Sequence, residues 1–206
     1  MRDNIKNRLA VGFGITMLLM ASIVVFNYSI LRKLEKLYLE TFKRSVDLEL
    51  TTDAQHIGGD MYMIIANAII NRDMAKSERE WATAKITYRA KFQKVDQAAN
   101  TVAEKTKVKE AQKAYDDIIL IYEKDMLPLI KKGAVVPGPL SDIDAQIDSK
   151  IEAIDQALVW VAKSMSNDNQ KAAREFHELL SDTLKSGLLL SIFGAIVAFF
   201  IAAMTA

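Results

Sequence analysis

The chain contains no cysteine, and only eight of its 206 residues are glycine and three are proline. The absence of cysteine excludes disulfide bonds, thiolate catalysis, cysteine-based zinc sites and haem attachment through a CxxCH motif. The scarcity of glycine and proline argues against a loop-rich β fold. The combination of 50% hydrophobic and 26% charged residues argues against disorder. We therefore expect an all-α protein.

Motifs that carry common enzymatic chemistry are also missing. The sequence has no glycine-rich phosphate loop, no nucleophile elbow, no HExxH and no repeated ExxH pair. We therefore expect no enzymatic activity, no cofactor and no metal site. The 27 basic and 26 acidic residues nearly balance, so the net charge gives no reason to expect nucleic acid as a partner.

Two long uncharged segments are the strongest signals in the sequence. Residues 9–28 (LAVGFGITMLLMASIVVFNY) and 187–206 (GLLLSIFGAIVAFFIAAMTA) each extend for about 20 residues, which in a helix matches a hydrocarbon core of about 30 Å. A cleaved signal peptide is the alternative for the first segment. Its apolar region is usually about 7–15 residues long, however, and no convincing cleavage site follows Val25. We predict two transmembrane helices.

The charges around the first segment bear on its orientation. Arg2, Lys6 and Arg8 precede it and favour a cytoplasmic N-terminus, although basic residues also follow it. Two spans return the chain to the side on which it starts. The predicted layout is a cytoplasmic N-terminus (1–8), two spans (9–28 and 187–206) and an extracytoplasmic domain (29–185). The expected location is the inner (cytoplasmic) membrane, with this domain in the periplasm or outside the cell.

The segment between the spans is predicted to form four helices. Breaks at residues 71–73, 104–107 and 133–139 separate them. The predicted helices extend from the first span to about Asn71, over about 75–103, over about 107–132, and from Ser141 into the second span. Pro128 is expected to kink the third helix or to end it early.

Apolar residues recur at steps of three and four along these helices, which is typical of an antiparallel bundle with left-handed packing. On the second to fourth helices the predicted core positions are Trp81, Tyr88, Phe92, Val95, Ala99, Val102, Val108, Ala111, Tyr115, Ile118, Tyr122, Leu129, Ile143, Ile147, Ile151, Ile154, Leu158, Val161 and Met165. On the first helix the predicted positions are smaller and more polar: Leu34, Tyr38, Ser45, Leu48, Thr52, Gln55, Gly59, Tyr62, Ala66 and Ile69. The predicted fold is an all-α, antiparallel up-down four-helix bundle with two transmembrane helices.

Gly58 and Gly59 are unusual in the interior of a predicted helix, because each costs up to about 1 kcal/mol relative to alanine. A close approach of another helix, a kink or plain tolerance can account for them. We favour a subunit contact along the first helix.

The two histidines do not favour a haem site. His56 is about 28 residues beyond the first span, which is roughly 40 Å along a helix, whereas His177 is about 10 residues before the second span, roughly 15 Å. At such different heights the two imidazoles cannot ligate one haem. Ligation by His56 alone stays open, beside the plainer interpretation of a hydrogen-bonded or solvent-exposed side chain.

Polar residues at the membrane-distal end of the predicted bundle form a candidate ligand site. It combines the end of the first helix with the start of the fourth: Asp60, Tyr62, Asn67, Arg72, Asp142 and Gln146. Lys131 and Lys132 are predicted to lie nearby. The charged runs at 76–80 and 104–110 mix both signs and are interpreted as solvated faces and turns.

A family resemblance is carried by the opening IKNRLAVGFGITMLLMASIVV, the long first helix, the Gly/Pro-containing loop and the fourth helix that continues into a second span. This pattern resembles the sensory half of methyl-accepting chemotaxis proteins, in their four-helix-bundle ligand-binding class, over essentially the whole chain. The resemblance implies a homodimer packed mainly through the first helix. It also implies that a small molecule or a periplasmic partner protein binds near the membrane-distal end, and that the signal is transmitted inward for chemotaxis.

Two alternatives remain open for the function. The same module is similar to the input domains of some sensor histidine kinases and diguanylate cyclases, which differ from chemoreceptors in the output domain beyond residue 206. A structural membrane protein whose bundle binds a partner protein also fits these residues.

Overall fold

The computed structural model of the chain describes residues 2–133, 138 and 140–205. Its elements are all helices, and no strand occurs among these residues, which confirms the all-α prediction. In chain order they are α1 (Arg2–Ala54), α2 (Ile57–Asn71), α3 (Met74–Ala98), α4 (Val102–Ile121), a π-helical segment (Tyr122–Met126), α5 (Leu127–Lys131) and α6 (Ser141–Thr205). Most of the predicted loop at 133–139 lies outside the described residues, as do residues 1 and 206.

The chain divides into two compact units. Unit 1 comprises Met1–Phe42 and Gln170–Ala206, and unit 2 comprises Lys43–Asn169. Helices α1 and α6 each have one part in unit 1 and another part in unit 2. Unit 1 contains the apolar segments, whereas α2 to α5 belong entirely to unit 2.

Two helices are long and apolar enough to cross a membrane. The helical runs Ala10–Asn71 and Ser141–Ile201 contain windows of 18 residues with mean hydropathies of 2.0 and 2.1. Only 6% and 0% of these windows are buried within the protein. The core helix of a soluble domain would be covered by its own chain, so this exposure argues against such a role for either segment.

Unit 2 has a contiguous apolar core that includes most of the predicted positions on α3, the α4 region and α6. The predicted positions that are buried are Trp81, Phe92, Val95, Ala99, Val108, Ala111, Tyr115, Ile118, Tyr122, Ile147, Ile154, Leu158, Val161 and Met165. The rings of Phe92 and Tyr115 lie 5.3 Å apart and join α3 to α4. Tyr88, Leu129, Ile143 and Ile151 are half-buried against this core.

The turn between α3 and α4 lies earlier than the predicted break at 104–107. α4 begins at Val102, and Thr101 caps it: the Thr101 hydroxyl accepts from Glu104 N at 3.1 Å, and Glu104 Oε2 accepts from Thr101 N at 3.1 Å. This reciprocal pair satisfies two donors that a helix start leaves without partners. Two predictions are therefore wrong: Val102 is 85% exposed instead of lying in the core, and Glu104 is fully buried instead of solvated.

The predicted core line on the first helix lies one residue away from the fully buried line, although Leu48, Tyr62 and Ile69 are half-buried against the core. The buried residues of α1 and α2 include Arg44, Thr51, Ala54, Gly58, Met61, Ile65 and Ala68, each one position before a predicted one. A shift of one residue rotates the buried face by about 100°. The prediction placed Gly59 and Ala66 in the core, whereas the larger Met61 and Ile65 gain more from burial.

α1 and α2 are separated by a turn at Gln55–His56 that the sequence does not predict. Gln55 N donates to Thr52 O at 3.2 Å, which is a spacing of three residues. Just beyond the turn, Gly58 packs against α6: a Cβ at this position would lie 2.9 Å from Cγ2 of Ile151. A close helix approach within one chain therefore accounts for Gly58, and the subunit contact stays a prediction.

Pro128 coincides with the π-helical segment. Leu127 N donates to Tyr122 O, five residues back, so the helix widens immediately before the proline. A proline ring clashes with the carbonyl of the residue four positions earlier, here Lys124, and a wider turn relieves that clash. The predicted disruption at Pro128 thus takes the form of a local widening, after which α5 continues to Lys131.

Replacing the two adjacent glycines by alanine is expected to have opposite effects. Gly58→Ala pushes a methyl group against Ile151 and against Asp155 Oδ1, 3.2 Å away, and should destabilise unit 2 by about 1–3 kcal/mol. Gly59→Ala meets no atom within 4 Å and should stabilise the helix by about 0.5–1 kcal/mol. Urea unfolding of the full chain in detergent measures both. Equal changes in the free energy of unfolding for the two variants would show that the close approach at Gly58 is absent.

Candidate functional site

Two of the predicted ligand residues, Asp60 and Tyr62, face different neighbours. Asp60 accepts a hydrogen bond from the Tyr88 hydroxyl of α3 at 3.1 Å. Burial and the nearby Asp60 raise the pKa of Tyr88 to about 12, so this hydroxyl remains a donor. Burial also raises the pKa of Tyr62, and so do Asp144 and Asp148 of α6. Asp60 is thus engaged with α3, while Tyr62 faces an acidic part of α6.

Asn67 and Arg72 lie at the exposed end of α2. Asn67 Oδ1 accepts from Asn71 Nδ2 at 3.3 Å, and Arg72 ends the helix in the left-handed conformation, with φ 54° and ψ 21°. Asn67 borders a small cleft of about 210 Å³. The residues lining this cleft are Asn67, Asn71, Asp73, Lys76, Ser77 and Glu80. It offers both donors and acceptors but has room for only a small group.

The remaining predicted residues, Asp142 and Gln146, are exposed on the first turns of α6. Gln146 Nε2 donates to the backbone oxygen of Asp142 at 3.3 Å, so this contact is local to the helix. Lys131 forms an ion pair with Glu78 at 2.7 Å. The structure thus shows separate contacts for these residues. Their role as one ligand site stays a prediction.

The electrostatics where α2 meets α6 favour a cationic group over an anionic one. Burial and the charge of Asp148 raise the pKa of Asp144, which means that an additional negative charge is disfavoured there. Tyr62 faces the same two carboxylates. A donor or a positive charge placed beside Tyr62 would be stabilised by them.

A buried polar cluster that sequence reasoning does not predict joins three parts of unit 2. The Arg44 side chain is 8% exposed, and its guanidinium donates to Glu104 Oε1 at 2.6 Å and to Asp168 Oδ2 at 2.8 Å. It also donates to the backbone oxygen of Ala98 at 3.2 Å. The cluster thereby connects α1, the α3–α4 turn and α6.

Glu104 is held in its ionised form by its surroundings. Burial alone would raise the pKa of Glu104, but hydrogen bonds from the backbone of Asn100 and Thr101, a hydrogen bond with Ser164 and the charge of Arg44 together lower it. Its carboxylate is therefore an anion at neutral pH despite complete burial. The spacing of Thr101 and Glu104, a threonine followed three residues later by glutamate, is the sequence signal that could have located this turn.

A second cluster surrounds the π-helical segment. Glu123 Oε1 accepts from Trp81 Nε1 at 3.0 Å and pairs with Lys85 Nζ at 2.5 Å. The rings of Trp81 and Tyr122 lie 4.3 Å apart. Burial would raise the pKa of Glu123, but the hydrogen bonds from Lys85 and Trp81 lower it. These contacts join α3 to the π-helical segment.

The positions of the two histidines bear on the question of a metal site. Among the residues that the structure describes, no group of three or more His, Asp or Glu side chains could hold a metal ion. His56 is exposed in unit 2 and His177 is exposed in unit 1. The ring of His177 lies edge-on to Phe176 with centroids 6.2 Å apart.

Comparison with known protein families, with characterised proteins and with solved structures gives no match for this chain. The function is therefore inferred from the residues of the chain itself.

Removing Arg44 is expected to destabilise unit 2 strongly. Arg44→Met leaves the Glu104 carboxylate buried without its counter-ion, which should cost about 3–5 kcal/mol. Asp168→Asn is the matched control, because the Asp168 side chain is 52% exposed and should contribute less than about 1 kcal/mol. Tryptophan fluorescence during urea unfolding reports on unit 2 alone, because both tryptophans lie in it. Similar decreases in the free energy of unfolding for both variants would contradict a buried pair of Arg44 and Glu104.

Acid is expected to weaken unit 2 through Glu104. A carboxyl group whose pKa is lowered by folding stabilises the protein above its unfolded pKa, here about 4.3, and this stabilisation is lost as the pH falls towards the folded value. The free energy of unfolding of the wild type should therefore decrease more steeply below about pH 4.3 than that of Glu104→Gln. Parallel pH profiles for the two proteins would refute this role.

Proposed function

We propose that this chain is the sensory module of a transmembrane receptor, in which an extracytoplasmic helical bundle detects a signal and transmits it through two membrane spans for chemotaxis. The observation that carries the proposal is the pair of apolar segments on α1 and α6, of which only 6% and 0% is buried in the protein. Each segment shares its helix with a part of unit 2, so a change in unit 2 acts directly on a helix that enters the membrane.

The packing within unit 1 supports an antiparallel pair of spans. Gly12 is buried, and a Cβ at this position would lie 2.9 Å from Cγ2 of Ile201. Gly12 is near the start of the first apolar segment and Ile201 near the end of the second, so the helices run in opposite directions. Small residues permit such close contacts between helices in membranes. This arrangement supports placing both termini on one side of the membrane.

Contacts within unit 2 support an antiparallel four-helix bundle. Asp53 of α1 pairs with Lys91 of α3 at 2.7 Å, and Arg44 bonds to the carbonyl of Ala98, so α1 and α3 run in opposite directions. The α4 residue Asp117 accepts from Lys150 of α6 at 2.9 Å. Together with the contacts of Arg44 to Glu104 and Asp168, these bonds connect all four long helices of the unit.

Uncovered apolar side chains on α1 and α2 are compatible with the homodimer that the resemblance implies. Val46 is 49% exposed, Met63 60% and Ile70 74% in the single chain. Apolar side chains that remain exposed on a helical face are available for a partner. A receptor dimer with α1 and α2 at its centre would cover them.

The membrane topology tests the proposal directly, and the absence of cysteine makes single reporters possible. Lys163→Cys places a thiol at an exposed position of unit 2, and Asn4→Cys places one before the first span. A membrane-impermeant maleimide applied to intact spheroplasts should label the first variant, and the second only after permeabilisation. Labelling of both variants on one side of the membrane would overturn the proposal.

Signal detection is tested by joining residues 1–206 to the cytoplasmic half of a characterised chemoreceptor in cells that lack other receptors. A ligand that changes kinase output should also stabilise the module, by about 2.7 kcal/mol at a hundredfold excess over its dissociation constant. The ligand panel contains organic amines as well as acids and anions, because Tyr62 faces Asp144 and Asp148. Tyr62→Phe and Asn67→Ala should weaken the response. A chimera that is inserted and folded but responds to nothing in the panel or in periplasmic extract would favour a structural role.

A further inference from the structure

A groove of about 680 Å³ lies on the surface of unit 2 between α3 and α4. Its lining includes Lys85, Ile86, Arg89 and Gln93 of α3 and Ile119 of α4, and we call it the α3–α4 groove. The volume is in the range of sites that take small organic molecules. The six predicted ligand residues are not among its described lining residues, so this groove is a separate candidate for binding.

The α3–α4 groove exposes apolar surface. Ile86 is 75% exposed, although isoleucine is among the residues that are most often buried. Ala82 and Ala90 lie one helical turn before and after Ile86, and these small side chains leave space on both sides of it. Ile119 of α4 is half-buried against the core and lines the groove from the other helix. An apolar group that packs between Ile86 and Ile119 would therefore be removed from water, which is favourable.

Two cationic side chains border this apolar surface. Lys85 and Arg89 are one helical turn apart on α3, and both line the groove. Lys85 pairs with Glu123 of the π-helical segment at 2.5 Å, and Arg89 pairs with Asp116 of α4 at 2.9 Å. Neither carboxylate is among the described lining residues of the groove. The charge that these lining residues present to a ligand is therefore positive.

Both ion pairs leave donors for a further anion. The four side chains are between 35% and 57% exposed, and ion pairs with such exposure stabilise a protein only weakly. The Arg89 guanidinium meets Asp116 through one nitrogen and one oxygen, whereas its fork of N–H groups favours the two oxygens of one carboxylate. A carboxylate in the groove can thus accept hydrogen bonds from Arg89 and from the ammonium of Lys85.

The backbone that carries these cations is held in place by the core. The Tyr115 hydroxyl donates to the backbone oxygen of Lys85 at 2.6 Å, and the Tyr115 ring packs against Phe92 with centroids 5.3 Å apart. Because this part of α3 is fixed before a ligand arrives, binding requires little ordering of the chain.

We propose that the α3–α4 groove binds a small organic anion with an apolar body, such as an aromatic carboxylate. The carboxylate is held by Lys85 and Arg89, and the ring packs between Ile86 and Ile119. An inorganic anion gains nothing from the isoleucines, and an amine is repelled by the two cations. The site goes beyond the proposed function, because it gives unit 2 a ligand class and a second place for binding. The binding itself does not depend on a receptor role.

Isothermal titration calorimetry of the full chain in detergent tests the ligand class with three probes at one ionic strength. Phenylacetate carries both the ring and the carboxylate, phenylacetamide lacks the charge, and acetate lacks the ring. Phenylacetate should bind at least about tenfold more tightly than the other two, because each of them lacks one set of contacts. Titration into empty micelles is the blank for partition into detergent. If phenylacetate shows no saturable binding up to about 10 mM, or if phenylacetamide binds equally well, the proposal is wrong.

Four variants locate the binding. Arg89→Gln and Ile86→Ser change exposed side chains of the groove, and each should weaken the binding of phenylacetate about tenfold. Asp116→Asn removes the carboxylate that competes for Arg89 and should tighten binding about two- to fivefold. Lys94→Gln is the matched control, because it removes an exposed charge of α3 outside the described lining and should leave the affinity unchanged. Circular dichroism checks that each variant keeps its helices. Unchanged affinity in Arg89→Gln or Ile86→Ser, or an equal loss in Lys94→Gln, would refute binding in the groove.

The outcome is independent of the receptor proposal. The calorimetry reports on binding within unit 2, whereas the labelling of Lys163→Cys and Asn4→Cys reports on topology. Binding of phenylacetate without the expected topology retains the groove site and rejects the receptor. The expected topology without binding of phenylacetate rejects the groove site and retains the receptor.

Discussion

The burial of Arg44 is the interaction on which the arrangement of unit 2 depends. A guanidinium has several donors and cannot lose its charge, so its burial requires acceptors in a defined geometry. These come from Ala98, Glu104 and Asp168, which belong to the end of α3, the first turn of α4 and α6. Apolar side chains tolerate several rotations of one helix against another, whereas this set of bonds permits only one. We infer that the cluster selects which faces of the helices meet.

The same residues explain how far the fold could be predicted. The core positions of α3, α4 and α6 were predictable because large apolar side chains repeat there at helical spacing. The core positions of the first helix were not predictable, because Arg44, Thr51 and Gly58 face the interior there. The burial of such residues depends on partners in other helices, which a single helical pattern does not contain. Its face was therefore predicted about 100° away from the observed one.

The candidate ligand residues illustrate a different limit of sequence reasoning. Their prediction rests on polarity and on height along the predicted helices, and both properties can be obtained from the sequence. Whether a polar group already has a partner is a tertiary property: Asp60 is bonded to Tyr88, whereas Asp155 keeps a buried oxygen to which none of the described residues donates. No motif distinguishes these two aspartates. The difference between them exists only in the folded chain.

The apolar side chains of helices α1 and α6 differ in exposure between the two units. In unit 1 their apolar side chains are exposed, with Leu18 at 71% and Phe199 at 73%, whereas in unit 2 their apolar side chains form the core. The three prolines of the chain all lie at 128–139, outside both helices. α6 is therefore continuous over Ser141–Thr205, and the first helical run is interrupted only at Gln55–His56. Because an uninterrupted helix resists bending, a bend in the first helical run is easiest to accommodate at that turn.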